Sequence, residues 1–345
     1  MTAARIRATR GVAVSTVVAG GAVLVLSVMV AITLGTADIS LVNVRDIVGN
    51  HLGVVTIPVR AGEDAIVWED RLPRSLVAAA CGAGLAVCGV ILQSLLRNPL
   101  ADPFLLGVSS GASTGAVVIG ILGVGGGALG LSGGAFVGAL FAFGMVLLLA
   151  RLSGGGNDRV ILAGVAMTQL FSALTSLVIF AFADADETRG VMFWLLGSLE
   201  GVRWDDVRLT AAVAAGGFVV CWALAYVLDA FTFGDEVAAS LGMPVGAIRS
   251  GLMTLTALVT AALVSVAGAI GFVGLVLPHA ARFLVGPAHG RLVPVSALLG
   301  AVFMVWVDAF TRVAFSPTPL PIGVATALVG VPAFVLIMFR RKGTT

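Results

Sequence analysis

Lysine is all but missing from this chain, which has one, Lys342, among 345 residues. A phosphate-binding loop of the form G-x-x-x-x-G-K-[ST] needs a lysine after its second glycine, so the chain cannot itself be a P-loop ATPase. Charge of either sign is scarce, at 11% of residues. Ion-coupled carriers place acids or histidines mid-membrane, yet here only Asp308 falls well inside an apolar run, with Arg312 one turn on. That pair reads as an ion pair near a helix end. Of the three cysteines, Cys81 and Cys88 share a helix face at i, i+7 and Cys221 stands alone. They read as packed thiols. His51, His279 and His289 are scattered, so nothing has metal-ligand spacing. His279, after Pro278 in GLVLPHAAR, reads as part of a helix-breaking feature. No nucleophile, base and orienting group recur together, so membrane-enzyme chemistry has no support in the sequence.

What is present is apolar. The composition is 59% hydrophobic with 45 glycines and a mean hydropathy of +1.10, which no soluble domain of this length shows. Runs free of Asp, Glu, Lys and Arg cover 11–37, 75–96, 103–150, 160–183, 209–228, 250–281 and 313–339. A spanning helix needs roughly 20 apolar residues, so several runs hold two spans and the total is about ten. The 103–150 run breaks at the glycine cluster between Gly123 and Gly134, and the 250–281 run overflows into a short span near 272–285. The first run, behind Arg5, Arg7 and Arg10, is long for a signal peptide and lacks an obvious cleavage site, so it is expected as a retained span.

Between two of these runs lies the polar seam Arg97-Asn98-Pro99-Leu100-Ala101-Asp102-Pro103. Both prolines lack an N–H and push their predecessors out of the helical region, so a helix must stop near Arg97. Asp102 is placed to cap the next helix, and Pro103 suits its first position.

Cytoplasmic loops are enriched in Lys and Arg. With ten spans and both termini cytoplasmic, that side collects twelve of the 20 basic residues against five of the 18 acids, leaving eight and thirteen outside. The outer loops 37–70 and 183–206 each carry six acids and two arginines, so neither is a nucleic-acid or anionic-lipid patch.

Glycines recur every four residues at Gly107, Gly111 and Gly115 and at Gly130, Gly134 and Gly138, ridges that let helix backbones approach where lipid supplies no hydrophobic drive. Thr168, Ser172, Thr175 and Ser176 form a polar stripe at i, i+4, i+7, i+8. It suits interhelical hydrogen bonding as well as pore lining. In FGDEVAASLGMP, Asp235 and Glu236 occupy a first helical turn and Gly242 and Pro244 close it. The result is either a short partner-binding helix, with a second one following through Arg249, or a solvated linker.

The segments RLPRSLVAAACGAGLAVCGVILQSLLRNPLADPFLLGVSSGASTGA, GDEVAASLGMP, GFVGLVLPHAARFLVGPAHGRLVPVSALLGA and LPIGVATALVGVPAF resemble, in order and at family spacing, the FecCD-type permeases of bacterial ABC importers for iron-siderophores, haem and vitamin B12. The resemblance runs from about residue 12 onward. It implies an all-α, polytopic type II ABC importer permease fold in the cytoplasmic membrane, one transmembrane domain over 1–345. The partners it implies are a second permease subunit, identical or paralogous, two ATP-binding subunits carrying the ATP and magnesium, and an extracytoplasmic substrate-binding protein. No cofactor is implied on this chain.

Carried onto matching positions, the resemblance makes Arg71, Arg74 and Arg312 docking residues for the binding protein. Asp235, Glu236, Ala239, Leu241 and Gly242 become the coupling segment resting on the ATPase. Thr168, Ser172, Thr175, Ser176, Gly323 and Thr326 would line the translocation path, and the loop Ser153, Gly154, Gly155, Gly156 and Asn157 would form the inner gate. The 37–70 loop has no family equivalent and is expected to shape docking. The expected cargo is a ferric siderophore, with haem or a cobalamin as alternatives. The rival from another class is a secondary carrier working without an ATPase.

Overall fold

The computed structural model describes residues 3–124, 130–315 and 320–340, with side chains described between 18 and 335. Fifteen α-helices follow one another among the described residues: α1 (Ala3–Thr33), α2 (Leu41–His51), α3 (Ala61–Ala65), α4 (Leu72–Leu95), α5 (Val108–Leu122), α6 (Gly130–Leu152), α7 (Asn157–Phe182), α8 (Ala185–Leu195), α9 (Trp204–Ala223), α10 (Ala225–Thr232), α11 (Asp235–Ser240), α12 (Val245–Ala267), α13 (Val273–Val285), α14 (His289–Ala314) and α15 (Ile322–Arg340). A π turn, Ile66–Arg71, joins α3 to α4. Six helices are long and apolar enough to cross a membrane: Ala61–Leu95 and α6, α7, α9, α12 and α14. Four shorter apolar helices, Val18–Thr33, α5, α13 and Ile322–Val335, bring the apolar helices among the described residues to the expected ten, of which α14 alone lies in no charge-free run.

α4 is the central helix. Nearly all of its side chains are buried, and α9, α12, α13 and α14 pack around it. Small residues set these distances: a Cβ on Gly82 would lie 2.1 Å from the Gly300 carbonyl oxygen on α14, and one on Gly89 would lie 1.9 Å from that of Gly274 on α13. The predicted ridges meet in the same way between α5 and α6. A Cβ on Gly115 would sit 2.1 Å from Gly134 O, and one on Gly138 2.3 Å from Gly111 O. Backbones therefore touch where lipid gives no other drive for association. Gly107 and Gly130 at the ridge ends make no such contact with one another.

The polar seam ends α4 as predicted, with Arg97 exposed at a φ of 49°. Asp102 Oδ1 accepts from the Phe104 amide at 2.9 Å. The restart differs from expectation: Pro103–Leu106 forms a 3-10 turn, Gly107 turns left-handed at a φ of 72°, and α5 begins only at Val108.

Pro278 does not break its helix. A proline leaves the carbonyl four residues earlier without its partner, here that of Gly274, and Gln93 Nε2 on α4 donates to that oxygen at 3.1 Å. Arg282 Nη1 in turn donates to Gln93 Oε1 at 2.5 Å. Pro294 in α14 frees Gly290, whose carbonyl accepts from Trp222 Nε1 at 3.0 Å. Both helices continue because a neighbouring helix supplies the missing donor, as membrane interiors require.

Candidate functional site

At one end of the bundle, α11 is a six-residue helix with a well-defined stop. Gly242 has a φ of 78°, its amide donates to Ala239 O, and the Met243 amide donates to Ala238 O, the paired closure that glycine permits after a helix. Asp235 Oδ1 accepts from Arg249 Nη2 at 2.5 Å, and that guanidinium lies over the Phe231 ring. Ala238 is fully buried. The helix is thus fixed along one side, while Glu236, Ala239, Leu241 and Gly242 face outward with Val237 and Phe233. Leu241 is 63% exposed and Phe233 75%. Sequence reasoning missed Val237 and Phe233, which carry much of this exposed apolar surface. Arg249 begins no separate short helix; α12 starts at Val245 and runs on through the bundle.

The residues expected at the inner gate form one turn between α6 and α7, exposed from Ser153 to Gly156. Gly154, Gly155 and Gly156 take φ values of 96°, 74° and 97°, a left-handed succession that only glycine adopts without strain. That requirement explains the three consecutive glycines. Asn157 Nδ2 ties the turn to Leu95 O at the end of α4 at 3.2 Å.

The six expected path residues do not share one surface. Ser172 and Ser176 are exposed on α7 and Thr168 lies at their edge, whereas Thr175 turns inward, its hydroxyl 2.8 Å from that of Thr114 on α5. Thr326 is fully buried and donates to Gly323 O. A Cβ on Gly323 would meet Leu196 O at 2.3 Å, because the Ile322 and Gly323 amides dock onto the carbonyls of Gly197 and Leu196. Gly323 and Thr326 therefore seat α15 on the end of α8. Of the six, only Ser172 and Ser176 have exposed side chains, because the Thr168–Thr175 edge of the stripe faces α5.

At the opposite end, Arg71, Arg74 and Arg312 are 3%, 6% and 8% exposed. Arg74 Nε lies 2.5 Å from Asp308 Oδ1, and Arg312 Nη2 lies 3.2 Å from Asp308 Oδ2. The expected Asp308–Arg312 pair is there, with Arg74 added. Arg71 donates instead to the carbonyls of Ile32 and Ala37, each at 2.9 Å. Docking partners were expected to present their charge; these guanidinium groups are drawn inward, since a buried cation must find oxygen acceptors. Arg74 still borders a shallow surface depression lined also by Phe193, Ser198, Glu200 and Ile322. The neighbouring acidic loop folds on itself: Glu63 accepts from Asn43, Asp64 meets His51 Nε2 at 3.0 Å, and His51 stacks on Trp68.

Ten apolar helices around a glycine-packed centre, with a short capped helix offered at one end, define a transporter permease. The solved structure of an inward-facing metal-chelate type ABC transporter has the same arrangement, at a TM-score of 0.82 and 29% identity over 94% of this chain and 99% of that one. PsaBC from Streptococcus pneumoniae, at a TM-score of 0.55 and 19% identity over 77% of this chain and 90% of that one, shares the fold.

The chain belongs to the FecCD transport family, which matches residues 23–340. It is 42% identical to the cobalamin import system permease BtuC of Halobacterium salinarum over 80% of this chain and 74% of that one. It is 34% identical to the iron(3+)-hydroxamate import system permease FhuB of Bacillus subtilis over 96% of this chain and 84% of that one. The vitamin B12 permease BtuC of Klebsiella pneumoniae is 38% identical over 80% and 83%. The protein is accordingly a multi-pass permease subunit of a metal-chelate type ABC importer, in a class whose ATPase is a separate chain.

Proposed function

We propose that this permease carries a ferric siderophore inward through the cytoplasmic membrane, driven by ATP hydrolysis on a partner subunit. The observation that carries the reading is α11, held on one side by Arg249 and presenting Leu241 and Val237 on the other. A six-residue helix closed at its C-terminus by Gly242, with an exposed apolar tip, suits the cleft of a second protein. Both termini then lie with α11 on the cytoplasmic side, and the gate turn Ser153–Asn157 lies there too. A second permease copy or a paralogue would cover the exposed faces of α7 and α15 and share the path lined by Ser172 and Ser176.

The binding protein docks at the Arg74 end. There Arg71, Arg74 and Arg312 brace the outer surface from within, and Arg74 borders a shallow depression that an acidic side chain of the partner would approach. Complementary charge of this kind orients docking more than it adds affinity. Siderophore is favoured by the relative matched over nearly the whole chain. A corrinoid cargo is favoured by the higher identity of the cobalamin permease.

Reconstituted vesicles holding this permease, its ATPase and its binding protein test the proposal with radiolabelled ferric hydroxamate, haem and cobalamin side by side. ATP-dependent uptake of the ferric chelate alone is the expected result. Uptake of cobalamin alone establishes the corrinoid reading, and uptake driven by an ion gradient without the ATPase overturns both. In the same vesicles Leu241→Asp should leave assembly intact and uncouple hydrolysis from uptake; unchanged coupling would remove α11 from its role.

A further inference from the structure

Ser94, Asp229 and His289 converge beside α11, although they lie in three separate helices. His289 Nδ1 is 2.7 Å from Asp229 Oδ1, and its Nε2 is 2.5 Å from Ser94 Oγ. The His289 backbone amide donates to the same Asp229 oxygen at 3.0 Å. Such distances are those of a hydrolytic Ser-His-Asp triad, a grouping that the sequence does not reveal. Ser94 and His289 are nevertheless 2% and 1% exposed, and the Ser94 hydroxyl is also engaged with Val90 O at 2.9 Å. A nucleophile sealed in this way meets no substrate. The linkage is mechanical.

Each member stands where a mechanical linkage needs it. Asp229 belongs to α10, which leads into α11 through only Phe233 and Gly234. His289 is the first residue of α14, and Ser94 lies one residue before the end of α4. α4 and α14 form a pair locked by the Gly82–Gly300 backbone contact and, at their far end, by Arg74 and Asp308. Apolar contacts of α10 through Leu228 and Phe231 hold it against this pair but set no register, because burial is non-directional. The two bonds to Asp229 do set one, since hydrogen bonds to a carboxylate are short and directional. With the imidazole proton on Nδ1 facing Asp229, Nε2 competes with Val90 O for the single Ser94 hydroxyl proton, and with that proton turned to Nε2 one ring clamps three helices.

We propose that His289 is a positioning residue that ties the α10–α11 unit to the α4–α14 pair, so that a displacement imposed on α11 reaches the Arg74–Asp308 end of the bundle. The proposal rests on the reading of α11 as the coupling helix.

The test uses the full complex in vesicles, measuring ATP hydrolysis and uptake of radiolabelled ferric hydroxamate, or of cobalamin should that be the cargo. A spin-label pair reports the distance between positions 240 and 313 with and without a non-hydrolysable nucleotide. Asp229→Ala and His289→Ala should keep hydrolysis and raise the ATP consumed per cargo about tenfold, an ordinary size for lost coupling between sites. The nucleotide-dependent change in the label distance should differ from that of the parent complex. His289→Asn, which retains a donor toward Asp229, should recover part of both. If the alanine variants fail to assemble, Asp229→Leu and His289→Phe, which keep side-chain volume but cannot form the bond, provide the same two readouts. An assembled variant lacking the Asp229–His289 bond but retaining the parent ratio and the parent distance change overturns the proposal. If Leu241→Asp uncouples and the Asp229 and His289 variants do not, the linkage alone falls; if Leu241→Asp also leaves coupling unchanged, the coupling-helix reading falls with it.

Discussion

Arg74 on α4 and Asp308 on α14, 234 positions apart in the chain, meet with Nε 2.5 Å from Oδ1 at the end of the bundle remote from α11. Asp308 is fully buried and is also paired with Arg312, so a single carboxylate answers two guanidinium groups in a site nearly closed to solvent. Removing one member of a buried charged group costs more than the group contributes as a whole, because the remaining charges lose their compensation. Asp308→Ala is expected to destabilise the detergent-solubilised protein by about 3–5 kcal/mol, read as a fall in thermal midpoint. The double variant Asp308→Ala with Arg74→Met should recover part of that loss, since it removes one orphaned cation.

Gln93 is expected to matter because of Pro278. Gln93→Leu leaves the Gly274 carbonyl without the donor that Nε2 supplies and should cost about 1–3 kcal/mol, the penalty for a buried unsatisfied group. Pro278→Ala restores a backbone N–H to the same oxygen. The loss from Gln93→Leu should therefore be smaller in the Pro278→Ala background, and thermal unfolding of the four proteins of that cycle measures the difference.

The glycine contacts predict opposite outcomes within a few turns of each other. Gly115→Ala places a methyl 2.1 Å from the Gly134 carbonyl oxygen, so α5 and α6 must separate. Gly144 on α6 has nothing within 4 Å of a new Cβ, and there alanine gains about 1 kcal/mol of helix propensity in an aqueous reference. Thermal midpoints should fall for Gly115→Ala and hold or rise for Gly144→Ala.

Asp102 gives the pH dependence. Burial raises its carboxyl from the usual 3.8 to about 6, against the pull of the Phe104 amide. The folded state therefore holds the proton more tightly than the unfolded chain does. Stability from this group is fully present below pH 3.8 and is lost as pH rises toward about 6. Asp102→Asn keeps an oxygen to cap Phe104 and carries no charge. Its thermal midpoint relative to the parent should improve between pH 4 and pH 7 and then stay constant.

Much of this molecule was legible in the chain. Charge-free runs mark nine of the ten apolar helices because a membrane interior excludes ionised side chains; α14, which carries Arg291, Asp308 and Arg312, lies in none of them. Gly242 stops α11 as its position suggests. Gly111, Gly115, Gly134 and Gly138 meet as the four-residue spacing foretold. Local patterns fell short where a residue had two possible faces. Thr175 shares a stripe with Ser172 and Ser176 yet turns to Thr114, and the helical restart after Asp102 passes through a 3-10 turn before Val108.

The sequence by itself determined the number of apolar helices, the stop at Arg97 and the closure of α11 at Gly242. Each of these depends on backbone geometry or on the affinity of a side chain for water, which act over a few residues. Only the tertiary structure decided that Arg71, Arg74 and Arg312 point inward, that Gln93 and Trp222 supply donors to carbonyls freed by Pro278 and Pro294, and that one imidazole joins Ser94 to Asp229. Most of those bonds link residues far apart in the chain, from 34 positions for Arg71 and Ala37 to 234 for Arg74 and Asp308. Which polar groups meet across such separations is set by how closely the helices pack, and no spacing along a single helix records it.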